Sequence, residues 1–240
     1  MSKMRDISPD LQNTLQHIVD DVVSNLNCMA AMVATLEPDN SLPVRAYATS
    51  IAPEIISQGE KLLGLSFIGP KSVSYLDDKK FQDNLSVRAV KGTNGQPKIM
   101  VSDSLFDLVR PVIRRETVAK AAQKLSGIKQ VIAVPFSLQR EVVGNLFAAT
   151  RSEFTERDIN FLKAFGHQAA TAIQSQRRLE ESQGLERVIF ALQGSITDET
   201  QTLQIVVDAV VDTLDYAAAL VATLEPDNTL PVRAYSVGIA

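Results

Sequence analysis

One cysteine, no tryptophan and two histidines in 240 residues set the first limits on this chain. Cys28, alone, can form no internal disulfide and has no resolving thiol for redox catalysis. His17 and His167 are too few to hold a structural zinc, so no metal or other cofactor is expected. No stretch approaches the roughly 20 apolar residues that span a bilayer. The opening MSKMRDISPD lacks the apolar centre of a signal peptide, and the chain is read as cytoplasmic, without a membrane partner. Blocks of like charge are missing too: 24 basic and 28 acidic residues are interspersed, giving a net charge of −4 and arguing against nucleic acid as a partner.

What is present is the composition of an ordinary globular protein, 45% hydrophobic, with neither glycine nor proline in excess, held together by its core. Cys28, among the apolar residues of "LNCMAAMVATL", is expected to be a small buried hydrophobe on a strand.

The strongest internal signal is a repeat. Residues 15–52 and 203–240 align without a gap at an offset of 188, and "ATLEPDN" occurs in both at 34–40 and 222–228. Differences are mostly mild, such as Ile18 to Val206 and Met32 to Leu220, although Cys28 becomes Tyr216. That offset is too long for a solenoid and fits one domain plus a connector. It predicts a tandem array whose second copy is cut early and continues past Ala240.

Each copy opens with helix signals. Ser8-Pro9-Asp10 offers an N-cap and a first-turn proline before Leu11, Leu15, Ile18, Val19, Val22 and Leu26; Asp198 with Gln201 resembles a capping box before Leu203, Val206, Val207, Val210 and Leu214. Residues 29–36 and 42–48 read as strands around a turn at Glu37-Pro38-Asp39-Asn40. A helix over 53–64 ends at a glycine. Residues 66–127 mix strand-like "VSYLD" and "PKIMVSD" with a turn at Thr93-Asn94-Gly95 and a helix, "RETVAKAAQKLSG". Two strands, "KQVIAVPFSL" and "EVVGNLFAAT", follow around a polar turn, and a long helix starts at Thr155 with Asp158 three residues on.

This order predicts an α+β fold, an antiparallel sheet flanked by helices with a long C-terminal connecting helix. "IKQVIAVPFSLQREVVGNLFAAT" resembles the closing strand pair of the GAF domain family, "FTERDINFLKAFGHQAATAIQ" its final helix, and "NGQPKIMVSD" its middle segment. The resemblance implies a GAF/PAS-like first domain over residues 1–175, a helical connector over 176–197, and the N-terminal part of a truncated second GAF domain over 198–240.

The family's chemistries can be tested residue by residue. Relatives that bind a linear tetrapyrrole use a cysteine, usually beside a histidine, in the middle region; between Gly64 and Gly127 neither is present. Cyclic-nucleotide-binding relatives carry Asn and Lys, then Phe, then Asp-Glu at the last helix. Phe154 and Asp158 match that pattern, but Thr150, Arg151 and Ile159 depart from it, and Phe154 and Asp158 are read as a staple and a dipole partner of the helix start. His167 is expected to be a partly buried, hydrogen-bonded or interface histidine rather than a ligand, and His17 to have a packing role.

The resemblance places any small-molecule pocket between the sheet and residues 66–127. Tyr75, Arg88, Ser102, Asp103 and Arg110 could orient a ligand there, with Arg114 and Arg115 able to bind an anion. Residues 155–197 read as nearly unbroken helix with Gly184 as its weak point. Its first half packs on the sheet through Ile159, Leu162, Phe165, Ala169 and Ile173. Farther on, no local sheet remains to bury Leu179, Leu185, Val188, Ile189 and Leu192, which predicts pairing with a second copy in a homodimer. In related proteins such helices resemble rods that signal to an output domain such as a histidine kinase. The expectation is a non-enzymatic sensory and dimerisation module of a two-component protein, responding to a small ligand of unknown identity. The alternative is a cyclic-nucleotide-binding tandem that regulates a cyclase or phosphodiesterase.

Overall fold

The computed structural model describes residues 7–63, 73–110, 115–194, 199–214 and 216–238. The chain forms two compact units, Met1–Gln174 and Ser175–Ala240.

In the first unit, α1 (Pro9–Asn25) begins where the sequence supplies a cap: Leu11 N donates to Ser8 Oγ at 3.2 Å, and Pro9 takes the first helical position. Its periodic residues Leu11, Leu15, Ile18, Val19 and Val22 are buried, whereas His17 is exposed and has no packing role, because it lies on the opposite side of the helix. Cys28 is buried but lies in the short connection between α1 and β1 (Ala30–Thr35), not on the strand itself. β1 and β2 (Ser41–Thr49) close around Asn40, whose φ of 60° suits asparagine. Asn40 N donates to Glu37 O at 3.0 Å and Ser41 N to Asp39 Oδ1 at 3.1 Å.

After α2 (Pro53–Leu63), whose expected cap Gly64 lies outside the described residues, a crossover region contains β3 (Val73–Tyr75), a single 3-10 turn (Lys79–Phe81), α3 (Leu85–Lys91), β4 (Met100–Ser102), α4 (Phe106–Val109) and α5 (Glu116–Ser126). Neither α3 nor α4 is foreseen in the sequence, since two turns or fewer give no periodicity to read. β5 (Gln130–Leu138) and β6 (Glu141–Thr150) form a hairpin over Gln139 and Arg140, both at positive φ. α6 (Glu156–Gly194) starts in a reciprocal cap: Asp158 N donates to Thr155 Oγ1 at 3.2 Å and Thr155 N to Asp158 Oδ2 at 2.9 Å.

The six strands pair antiparallel in the order β3-β2-β1-β6-β5-β4. Alternation along β5 sends Ile132, Val134 and Phe136 into one apolar cluster with α1 and the first part of α6, and Val131 and Ala133 into another with Leu85 and Ala89 of α3. Both faces are covered, which is why β5 and β6 read as nearly continuous apolar runs. Leu162, Ala169, Ala170 and Ile173 of α6 are buried in the first cluster, but His167 is exposed, on the side of the helix away from the sheet.

The second unit contains the rest of α6, helical through Gly184, then α7 (Glu199–Leu214), β7 (Ala218–Ala222) and β8 (Val232–Val237). The start signal at Asp198 lies outside the described residues. β7 and β8 pair in the register of β1 and β2, down to the same irregularity, which falls between Val33 and Ala34 in one hairpin and between Val221 and Ala222 in the other. Among the described residues, no helix is long and apolar enough to cross a membrane.

Candidate functional site

The residues singled out around the crossover do not converge on one point. Tyr75 ends β3 and Ser102 ends β4, and these strands are the opposite edges of the sheet. Five strand spacings separate them, about 24 Å along the sheet. Tyr75 is largely exposed, with its ring 6.1 Å from that of Phe81. Arg88 is exposed on α3, Arg115 is exposed at the start of α5, and Arg114 lies outside the described residues.

Ser102 and Asp103 do come together, in a turn braced from within. Ser102 Oγ donates to Asp107 Oδ2 at 2.6 Å and accepts from Ser104 N at 3.1 Å. Gln130 Nε2 donates to Asp103 Oδ1 at 2.8 Å, while Gln123 Nε2 donates to Asp103 O at 2.7 Å and Gln123 Oε1 accepts from Leu105 N at 2.9 Å. Arg110 pairs with Asp83 at 2.9 Å and lies 5.1 Å from the centre of the Phe106 ring. The glutamines therefore fasten the turn between β4 and α4 to β5 and α5, and Arg110 ties the end of α4 to the residues just before α3.

Two asparagines with little sequence signal matter more here. Asn84 is buried; its Oδ1 caps α3 by accepting from Ser86 N at 2.9 Å, and its Nδ2 donates to Leu108 O. It thus pins α3 to α4 above the sheet. Asn145, on β6, is buried within the sheet, and its only sequence signal is that it is the single amide in "EVVGNLFAAT".

A buried ion pair lies at the hairpin. Arg45 donates from Nε to Thr35 Oγ1 at 2.9 Å and from Nη2 to Glu37 Oε1 at 2.8 Å. In the second unit Arg233 donates likewise to Thr223 at 2.8 Å and to Glu225. The helix-to-strand contacts are repeated too: Gln16 Nε2 reaches Tyr47 O and Asp20, and Gln204 Nε2 reaches Tyr235 O and Asp208. Both networks join residues at the repeat offset and serve to hold the hairpin.

Burial, with a smaller contribution from the Asp158 charge, pushes the Cys28 thiol up to about 12, which keeps it in the protonated, weakly nucleophilic form at neutral pH. Among the described residues no group of three or more His, Cys, Asp or Glu side chains could hold a metal ion.

Residues 8–174 match the family model described as "GAF domain". No curated protein matches the chain in sequence. Among solved structures the chain is similar to a GAF domain/HD domain protein from Geobacter sulfurreducens, at 10% identity over 70% of this chain and 94% of that one, with a TM-score of 0.48. It is similar also to a methyl-accepting chemotaxis protein (17% identity, 72% and 93% covered, TM-score 0.48) and to a red/green cyanobacteriochrome in its green-light-absorbing state (17% identity, 71% and 98% covered, TM-score 0.47).

Proposed function

The chain belongs to the GAF domain family, and on that footing we propose that it is a non-catalytic sensory and dimerisation module of a cytoplasmic signal-transduction protein of the two-component type. The observation that carries this reading is the continuity of α6, which runs for 39 residues without interruption. Leu162, Ala169 and Ile173 bury its first part on the sheet, whereas Leu179 and Leu185 are 52% and 55% exposed. An apolar stripe that starts in a core and continues uncovered serves to couple that core to a second helix. The side chains of Val188, Ile189 and Leu192, assigned to the same stripe, lie outside the described residues.

In this mechanism a small ligand on the crossover face biases two packings of α6, and the helix carries the difference to an output domain such as a histidine kinase. Phe136 supplies a physical link: it belongs to β5 and packs against Gly144 of β6 and Gly166 of α6. Residues 198–240 begin a second domain of the same kind, a reading supported by the repeated hydrogen bonds of α7, β7 and β8. That repetition also favours a second reading, a cyclic-nucleotide-binding tandem controlling a cyclase or phosphodiesterase, against which stand Thr150, Arg151 and Ile159.

Native mass spectrometry of protein purified from its own host tests both parts of the proposal. A dimer with a discrete extra mass is expected, and Val188→Glu with Leu192→Glu should leave a folded monomer. A dimer unchanged by the double substitution would remove the helix from the interface, and a cyclic nucleotide as the extra mass would select the second reading.

A further inference from the structure

The pairing register places Asn145 of β6 between Ala34 of β1 and Pro135 of β5. Alternate residues on a strand share a face, so Asn145 is on the side of Phe147 and Ala149, which belong to the apolar cluster containing Leu85 and Ala89 of α3. Its neighbour Ala34 packs with the other cluster on that face, which contains Leu42, Leu76, Val87 and Val90. A carboxamide therefore lies at the seam of two apolar clusters, both of which include residues of α3. Asn145 is 2% exposed, and its Oδ1 meets no hydrogen-bond donor among the described residues. Pro135 beside it has no N–H to offer. An acceptor buried in this way weakens the fold, and an apolar residue of similar size would avoid the loss.

We propose that Asn145 anchors a ligand site on this face, and that the ligand is small, uncharged and largely apolar, with one N–H or O–H that donates to Oδ1. The surroundings select for neutrality. The side chains of both clusters are uncharged and apolar, Met29 included, and an ion placed among them would lose its hydration without gaining a partner. The cations Arg88, Arg110 and Arg115 are exposed instead. α3, two turns long and pinned at its start by Asn84, is the cover that must shift to admit the ligand. This inference rests on the reading of the domain as a small-ligand sensor and supplies the chemistry of what it senses.

The test uses pyrrole, indole and carbazole, three sizes of neutral N–H compound, each against its N-methyl counterpart, with benzoate as the anionic control. Binding to the full chain is followed by calorimetry and by the Asn145 side-chain amide resonance. At least one N–H compound is expected to bind about tenfold or more tightly than its N-methyl form, with a shift of that resonance. Asn145→Val should abolish the preference while melting at the same temperature or higher, with Asn145→Thr as a second variant that keeps the strand. Equal affinity for each methylated pair, tighter binding of benzoate, no binding at all, or a preference that survives Asn145→Val would each overturn the proposal. The two readings fail separately. If native protein from the host carries a discrete mass that Asn145→Val retains, the sensor stands without this anchor. If the N–H preference holds but binding leaves the oligomer unchanged, the anchor stands without the relay.

Discussion

The ring of Phe136 occupies the space that a side chain at Gly144 would need. A Cβ on Gly144 would lie 2.4 Å from Phe136 Cζ and 2.5 Å from the carbonyl oxygen of Ala34, and the latter is backbone that cannot step aside. A Cβ on Gly166 would lie 3.2 Å from Phe136 Cβ, which a small adjustment can relieve. Gly144→Ala is therefore expected to destabilise the protein by about 1–3 kcal/mol through overpacking. Gly166→Ala should stay within about 1 kcal/mol of the parent, because the gain in helix propensity offsets the tighter contact. Urea unfolding of both variants measures the contrast; equal losses would show that Phe136 does not discriminate the two sites.

Arg45 and Arg233 make the same two bonds in different surroundings. The side chains of Arg45 and Glu37 are 6% and 16% exposed, whereas those of Arg233 and Glu225 are 46% and 35% exposed. Arg45→Met leaves Glu37 charged and enclosed without a counter-charge, with only the Thr35 hydroxyl still donating to it, and should cost about 3 kcal/mol. Arg233→Met, where solvent already screens the pair, should cost less than about 1 kcal/mol. Unfolding of the two single variants against the parent gives the ratio directly, and similar costs would contradict the difference in burial.

The raised thiol of Cys28 makes stability depend on alkaline pH. Its ordinary value is 9.0 and burial lifts it to about 12 in the folded chain. Between those values the unfolded chain loses the proton and the folded chain keeps it. The unfolded state then binds fewer protons, so stability falls as pH rises through that window and is intact below it. Cys28→Ala should show a shallower decline than the parent from pH 9 upward. In the native parent, iodoacetamide at pH 8 should leave the thiol unmodified until urea is added; fast alkylation without urea would mean that the site opens.

Much of the architecture was legible because it depends on local chemistry. Ser8, Thr155 with Asp158, and Gly127 at its φ of 76° each supply the geometry that a helix end requires, and Asn40 does so for the hairpin. α3 escaped notice because its seven residues are too few to establish a period, and its best signal, the Asn84 cap, also reads as a turn residue. His17 shows the limit of reading a residue from its sequence neighbours, since it lies among apolar residues yet on the outward side of its helix. For the candidate site the obstacle is topology. That β3 and β4 occupy opposite edges, separating Tyr75 from Ser102, follows from pairings made far along the chain. Asn145 is a lone amide in an apolar strand, a signal too slight to single it out, and its lack of a donor among the described residues depends on Ala34 and Pro135, on two other strands.

The two halves of α6 should respond oppositely to the same kind of substitution. Leu162 is fully buried against the sheet, so Leu162→Ala removes packed hydrocarbon and should cost the first unit about 2–5 kcal/mol. Leu179 and Leu185 are each more than half exposed, and replacing both with glutamine should change the unfolding free energy of that unit by no more than about 0.5 kcal/mol. If the proposed dimer buries them, each loss removes about 1.5–3 kcal/mol of apolar contact per chain, which raises the dimer dissociation constant by well over tenfold. Sedimentation equilibrium beside urea unfolding separates the two effects. A monomer with the parent's stability assigns this part of the helix to association, whereas a parental dimer would place the contact elsewhere and leave the two leucines as solvent-facing residues of a rigid connector.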